Sequence, residues 1–201
     1  MCIYCGLRPG DTDDHVPAKC LFDFPMHTDT QRITVPCCEV CRKSGEADEA
    51  PVRNILISIR EAESHPTAAK LAAKRDRAFS KDFSQLKKVT DHMCVVGVQT
   101  PQGLVAKDGF NLESPLMERF ILRMCRAMFH KETDSGFVKC SVKWGVNPKR
   151  DLREVLLSGA KARVISDEFA YAGIFFPGES VSIWLLNFYQ SVEFFAVFTT
   201  E

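Results

Sequence analysis

Two Cys-x-x-Cys pairs, Cys2 to Cys5 followed by Gly6 and Cys38 to Cys41, bracket a histidine that stands behind two aspartates, Asp13-Asp14-His15. Four thiolates make a closed tetrahedral zinc site, each pair wrapping one side of the ion. Gly6 lets the chain turn back so that backbone N–H groups can point at sulfur. A redox pair is the other chemistry open to Cys-x-x-Cys, but the βαβ pattern that accompanies it is absent. Cys37 would break the two-residue spacing to Cys41, so the expected structural zinc ligands are Cys2, Cys5, Cys38 and Cys41, with Cys20 a buried thiol. Between the pairs, His15 is a candidate general base toward water, and Asp14 a candidate ligand for a divalent cation. Metal plus base is a common solution to phosphodiester hydrolysis. On a regular strand Asp14 and His15 point to opposite faces, so Asp14 would reach a shared ion only where the chain bends.

The order CIYCG, DHVPAKCLF, ITVPCCEVC resembles the HNH nucleases of the ββα-metal class in their zinc-knuckle form. The run Ser44, Asp48, Glu49, Arg53, Asn54 and the segment Trp184 to Tyr189 look like one bacterial branch of that family. The likeness is specific over residues 2–54 and loose beyond. It implies an endonuclease hydrolysing nucleic acid, DNA before RNA, with His15 as general base, Asp14 on a catalytic Mg²⁺ or Mn²⁺, and the four cysteines structural. Two positions depart from the pattern. Gln31 or Arg32 stands where the family has an Asn that orients the base, and Arg42 stands where it has an Asn or His metal ligand. Arginine stays protonated and offers no lone pair, so Arg42 cannot ligate a cation, although it can clamp a phosphate bidentately. Asp48 or Glu49, one to two turns farther along, would then supply the missing oxygen ligand. The alternative implied by the same departure is a catalytically degenerate module that binds nucleic acid or a protein partner.

These residues need elements to position them. Residues 1–45 are rich in Cys, Pro, Asp and Thr and lack regular periodicity, so a metal must supply folding energy there. A helix is expected over 46–64, beginning near Ala50 so that Pro51 falls in its first turn. A second begins near His65. From Lys70 to Lys88 the basic residues 70, 74, 75, 77, 81, 87 and 88 face only Asp76 and Asp82. A solvated helical face is the plainer reading. A phosphate-binding surface led by Lys70, Lys74, Arg75 and Arg77 is the sharper one. Residues 94–110 read as a hairpin turning at Thr100 to Gly103. Ser114 as N-cap and Pro115 at the first helical position open a long helix with Leu116, Phe120, Ile121, Met124 and Met128 on one stripe. A shorter helix covers 151–160. The last forty residues read as three strands, with turns at Pro177-Gly178 and around Gln190-Ser191, in an antiparallel sheet. His27, His65, His92 and His130 are expected to be structural or at the surface, and Trp184, Phe188 and Tyr189 to pack in the core.

The resulting fold class is α+β: a zinc-stabilised treble-clef, ββα-metal module over 1–64, then helices packed on an antiparallel sheet over 65–201. The 201 residues are 45% hydrophobic, enough for a core. The formal net charge is zero, so any nucleic-acid contact must use a local patch. Nine cysteines, an odd number, argue for free thiols in a reducing compartment. No apolar run reaches transmembrane length and no signal sequence is recognisable, so a cytoplasmic protein without a membrane partner is expected.

Overall fold

The computed structural model describes residues 1–23, 31–112, 114–176 and 178–201. His27 and Pro177, both named above, lie outside the described residues. The chain is α+β, with helices and antiparallel sheets.

Strands β1 (Thr12–Val16) and β2 (Ile33–Cys37) form an antiparallel hairpin, with Asp14 opposite Val35 and His15 opposite Thr34. Helix α1 (Glu39–Leu56) leaves β2 at once, with Cys38 as its N-cap residue. It therefore starts seven residues before the expected 46 and ends well short of 64. Pro51 lies in its interior, not its first turn. An interior proline removes one ladder hydrogen bond and crowds the preceding turn. The start is set instead by the second cysteine pair, and the helix is held by burial of Val52, Ile55 and Leu56.

Helices α2 (Pro66–Phe79) and α3 (Phe83–Thr90) follow; α2 starts behind His65 as the sequence suggests. The basic stretch is divided between them by Asp82, whose carboxylate caps α3 by accepting from the Ser84 amide. Strands β3 (Met93–Thr100) and β4 (Gly103–Phe110) form the expected hairpin with Thr100 opposite Gly103.

Helix α4 (Pro115–Thr133) is the central core element. Ser114 caps it by accepting from the Met117 amide at 3.3 Å. Met117, Phe120, Ile121, Met124, Cys125, Ala127 and Met128 are buried. Each large side chain of that stripe contributes about 1.5–3 kcal/mol by leaving water.

The carboxy-terminal sheet has five strands, not three: β5 (Cys140–Val146), β6 (Lys161–Ser166), β7 (Phe169–Phe175), β8 (Val181–Phe188) and β9 (Val192–Thr200), in the order β5-β9-β8-β7-β6, every pairing antiparallel. Helix α5 (Arg150–Gly159) links β5 to β6. Both strands the sequence did not reveal are edges with weak apolar alternation, which is why periodicity misses them. Trp184, Phe188 and Tyr189 are buried.

One apolar core runs from Ile3 and Leu21 through Leu56 and Met124 to Phe198, so it crosses the expected boundary at residue 64 without a break. The Tyr189 hydroxyl donates to the Leu21 carbonyl at 3.0 Å, tying the β8–β9 turn to the segment after β1. Among the described residues no helix is long and apolar enough to cross a membrane.

Candidate metal centre

The first cysteine pair sits on a tight turn. The Gly6 amide donates to the Cys2 carbonyl at 3.0 Å, and the Ile3 amide to the Pro36 carbonyl at 3.1 Å, which pins the turn to β2. Gly6 has φ +63°, and a Cβ there would meet the Phe137 ring at 2.4 Å, so conformation and space both call for glycine. The second pair lies across the start of α1, where the Arg42 amide donates to the Cys38 carbonyl at 3.0 Å.

The four sulfurs of Cys2, Cys5, Cys38 and Cys41 all lie within 4.8 Å of one another. Cys5 and Cys38 are 3.9 Å apart. With Zn–S near 2.3 Å, a tetrahedral zinc site has sulfur–sulfur edges of about 3.8 Å, so the set fits a closed Cys₄ centre. Cys2 and Cys38 are buried and the other two half-buried. The Leu7 amide at the Cys5 sulfur holds that thiol down to about 6, and the Cys41 amide lowers Cys38. Burial raises Cys41. Cys37 is not part of this group; its thiol is directed at the Cys38 carbonyl at 3.3 Å. Cys20 directs its thiol to the Glu49 carbonyl, and burial pushes it up to about 11, so it is a neutral thiol.

β1 is a regular strand through the candidate catalytic pair, so its side chains alternate. Asp14 and Val16 are buried, while Asp13 and His15 are exposed. On the inner face the Tyr4 hydroxyl donates to Asp14 Oδ2 at 2.5 Å, and the Arg123 guanidinium pairs with the same oxygen at 2.7 Å. Burial, then the Asp14 charge, raises Tyr4 well above the usual phenol range. Arg123 also donates to the Cys41 carbonyl at 2.9 Å and lies over the Tyr4 ring at 4.4 Å from its centroid. Gly45, inside α1, makes the room: a Cβ there would be 2.2 Å from the guanidinium. Glycine within a helix costs about 1 kcal/mol relative to alanine, so this close approach gives the residue its reason.

Between β1, α1 and α4, His15, Asp48, Glu49, Arg119 and Arg123 line a small cleft of about 30 Å³ together with the buried Val16 and Met124. His15 makes no hydrogen bond to the described residues. Arg119 grips Asp48 with two bonds of 2.8 Å. Burial, then the nearby Asp14 charge, pushes the Glu49 carboxyl up. Asp14, His15, Asp48 and Glu49 do not converge as a set of ligand atoms; among the described residues only the four cysteines do so. Arg42 is held on α1 by its neighbours, with two 2.9 Å bonds to Glu39 and a further contact to Glu46. Gln31 is exposed, and Arg32 reaches the Pro17 carbonyl at 3.4 Å.

None of the α2 basic residues lines this cleft. Lys70 and Lys74 pair with Asp23, Arg75 with Asp76, and Arg77 is exposed. Lys70 instead borders a separate open cleft of about 890 Å³, together with His65, Thr67, Glu168 and Tyr189.

Sequence reasoning missed Arg119 and Arg123, which serve Asp48 and Asp14 from more than seventy residues away. A signal was present: Arg119, Arg123 and Arg126 recur at helical spacing through the apolar middle of α4, a charged row that needs partners. Arg126 finds its own at the Tyr4 carbonyl, 2.5 Å away. No family model, curated protein or solved structure matches the chain.

Proposed function

We propose that the amino-terminal region is a zinc-stapled treble-clef module of the HNH type, and that it binds nucleic acid at the His15 surface without cutting it. Zinc on Cys2, Cys5, Cys38 and Cys41 would supply rigidity alone, since four thiolates leave no open position for substrate. The observation that carries the binding reading is that arginine stands wherever a catalytic cation would need oxygen. Asp14 is engaged by Arg123 and Asp48 by Arg119, while position 42 is itself Arg. Mg²⁺ and Mn²⁺ need several oxygen ligands in near-octahedral array, and these residues do not fit that demand. What the surface offers is donors. Arg119 is half exposed and spends two of its N–H groups on Asp48, which leaves others for a phosphate oxygen. His15 stands exposed beside it.

The second reading is metal-dependent phosphodiester hydrolysis with His15 as general base. It is favoured by one observation: the His15 ring is exposed and has no partner among the described residues, the condition a base toward water requires.

One experiment separates the two. Zinc-loaded protein is mixed with supercoiled plasmid and with short DNA and RNA duplexes, in Mg²⁺, Mn²⁺, Ni²⁺ or Zn²⁺, wild type beside His15→Ala. The binding reading expects a gel shift that weakens steeply with salt, a several-fold loss in Arg119→Ala, and intact plasmid. Nicking by wild type that disappears in His15→Ala establishes the hydrolytic reading instead. No shift with either nucleic acid leaves a protein as the partner.

A further inference from the structure

We infer that β3 is a pairing edge, on which the β3 strand of a second copy of this chain adds in antiparallel sense. Two hairpins then join into one four-stranded sheet in the order β4-β3-β3-β4.

The hairpin stands apart from the rest of the molecule. Strands β3 and β4 pair only with each other. Among the described residues, none of their apolar side chains belongs to either apolar core or packs against it. An open cleft of about 300 Å³ separates Val96, Val98 and Phe110 from Ile59, Val146 and Val192. Met93, Val95, Val96, Leu104 and Val105 are exposed, Val95 and Leu104 each by 73%. A two-stranded hairpin is at best marginally stable by itself in water, and further strands with a shared apolar face are what such a sheet needs.

The chemistry of the free edges says what covers this one. An unpaired strand edge presents a row of backbone N–H and C=O groups, which another extended strand satisfies. Every other described strand with a free edge carries a charge or a proline, the features that discourage pairing. These are Asp13 and Asp14 on β1, Pro36 on β2, Lys107 and Asp108 on β4, Lys143 on β5, and Lys161 and Arg163 on β6. Strand β3, MCVVGVQT, has neither. Any of the guarded strands would set a charge or a proline among its valines. A second β3 sets apolar side chains against their like, with no charge on either side. In an antiparallel pair about a two-fold axis normal to the sheet, each side chain stays on its own face. Met93, Val95 and Leu104 of both copies therefore share one face, and Val96 and Val98 the other. The pairing uses both β3 edges and leaves Lys107 and Asp108 on the outermost strands, so it closes at two chains.

The test is sedimentation velocity of the zinc-loaded full chain from about 1 to about 200 μM. One paired strand buries less than the roughly 800 Å² per partner of a standard interface, so a dissociation constant on the order of 10 μM is expected. The weight-average mass should rise from that of one chain to that of two and stop there. Val95→Lys and Val95→Glu, at a site that the monomer leaves exposed, should each weaken association about tenfold or more. An equimolar mixture of the two should restore it, because opposite charges then face each other across the new pair. Ala106→Lys, exposed on β4, should leave association unchanged. A wild type that stays monomeric throughout overturns the inference and leaves the edge to a strand of a different protein. Species that grow beyond two chains also overturn it. So does association that Val95→Lys leaves intact, that the charge-swapped mixture fails to restore, or that Ala106→Lys abolishes equally.

Discussion

Helix α4 meets two buried carboxylates, one at its middle and one at its end, and the two are neutralised in different ways. At its middle, Arg123 forms an ion pair with Asp14, and the Tyr4 hydroxyl donates to the same oxygen. At its far end the helix supplies the carboxylate itself. Glu132 accepts from Arg163, from Lys161 at 2.6 Å and from Tyr171 at 2.9 Å. Arg163 is 40% and Lys161 61% exposed, so the Glu132 cluster opens to water through two cations. Burial would raise the Glu132 carboxyl, but the hydrogen bonds outweigh it and hold it down to about 2. Asp14 has one cation, itself buried. A carboxylate with redundant, solvated partners fastens a sheet edge, here β6 and β7 against α4. A carboxylate held by one enclosed cation and one buried phenol depends far more on that cation.

The largest expected effect removes the frame that holds the Asp14 pair. Cys38→Ser should abolish the tightly bound zinc and unfold β1 and β2, because a structural Cys₄ site contributes on the order of 10 kcal/mol or more to folding. Metal analysis should fall from one zinc per chain to none. Hydrogen exchange should lose protection in β1 and β2 while β7, β8 and β9 keep theirs; equal loss in both places would mean the two regions are not separable.

Next is Arg123→Ala, which leaves Asp14 buried without a counter-ion. Breaking a buried pair in this way costs about 3–5 kcal/mol, measurable by urea unfolding. Arg163→Ala is expected to cost less, about 1 kcal/mol, because Lys161 and Tyr171 remain on Glu132. Similar costs in the two clusters would break the contrast between enclosed and redundant pairing.

A further effect, smaller than that of Arg123→Ala, concerns acid. Glu132 is held at about 2 against an ordinary 4.5. Its folded value lies below its unfolded one, so its contribution is complete above pH 4.5. It fades as pH falls and is gone below about 2. Discounted for the exposure of its partners, that contribution is about 2 kcal/mol. The difference between wild type and Glu132→Gln in urea unfolding should therefore shrink steadily from pH 5 to pH 2. A pH-independent difference would show that Glu132 acts through packing alone.

Local chemistry was readable where a few neighbouring residues suffice. The Cys-x-x-Cys spacing selected Cys38 over Cys37, and the four sulfurs do come together. Ser114 and Pro115 marked the start of α4, and strand alternation separated Asp14 from His15 before any coordinates. Pro51 suggests a helix start near residue 50, yet α1 runs through it from Glu39, because burial of Val52, Ile55 and Leu56 outweighs one missing hydrogen bond. Strands β5 and β6 were not legible because edge strands bury too little to impose an apolar period.

The sequence by itself determined which four cysteines cluster, the start of the long apolar helix and the alternation of Asp14 and His15 on a strand, because spacing, turn chemistry and periodicity act over a few residues. Only the tertiary structure decided what stands beside Asp14. That partner comes from α4, 109 positions along the chain, through packing of α4 on α1 and β2, and no local pattern encodes which arginine of a helical row will meet which buried carboxylate.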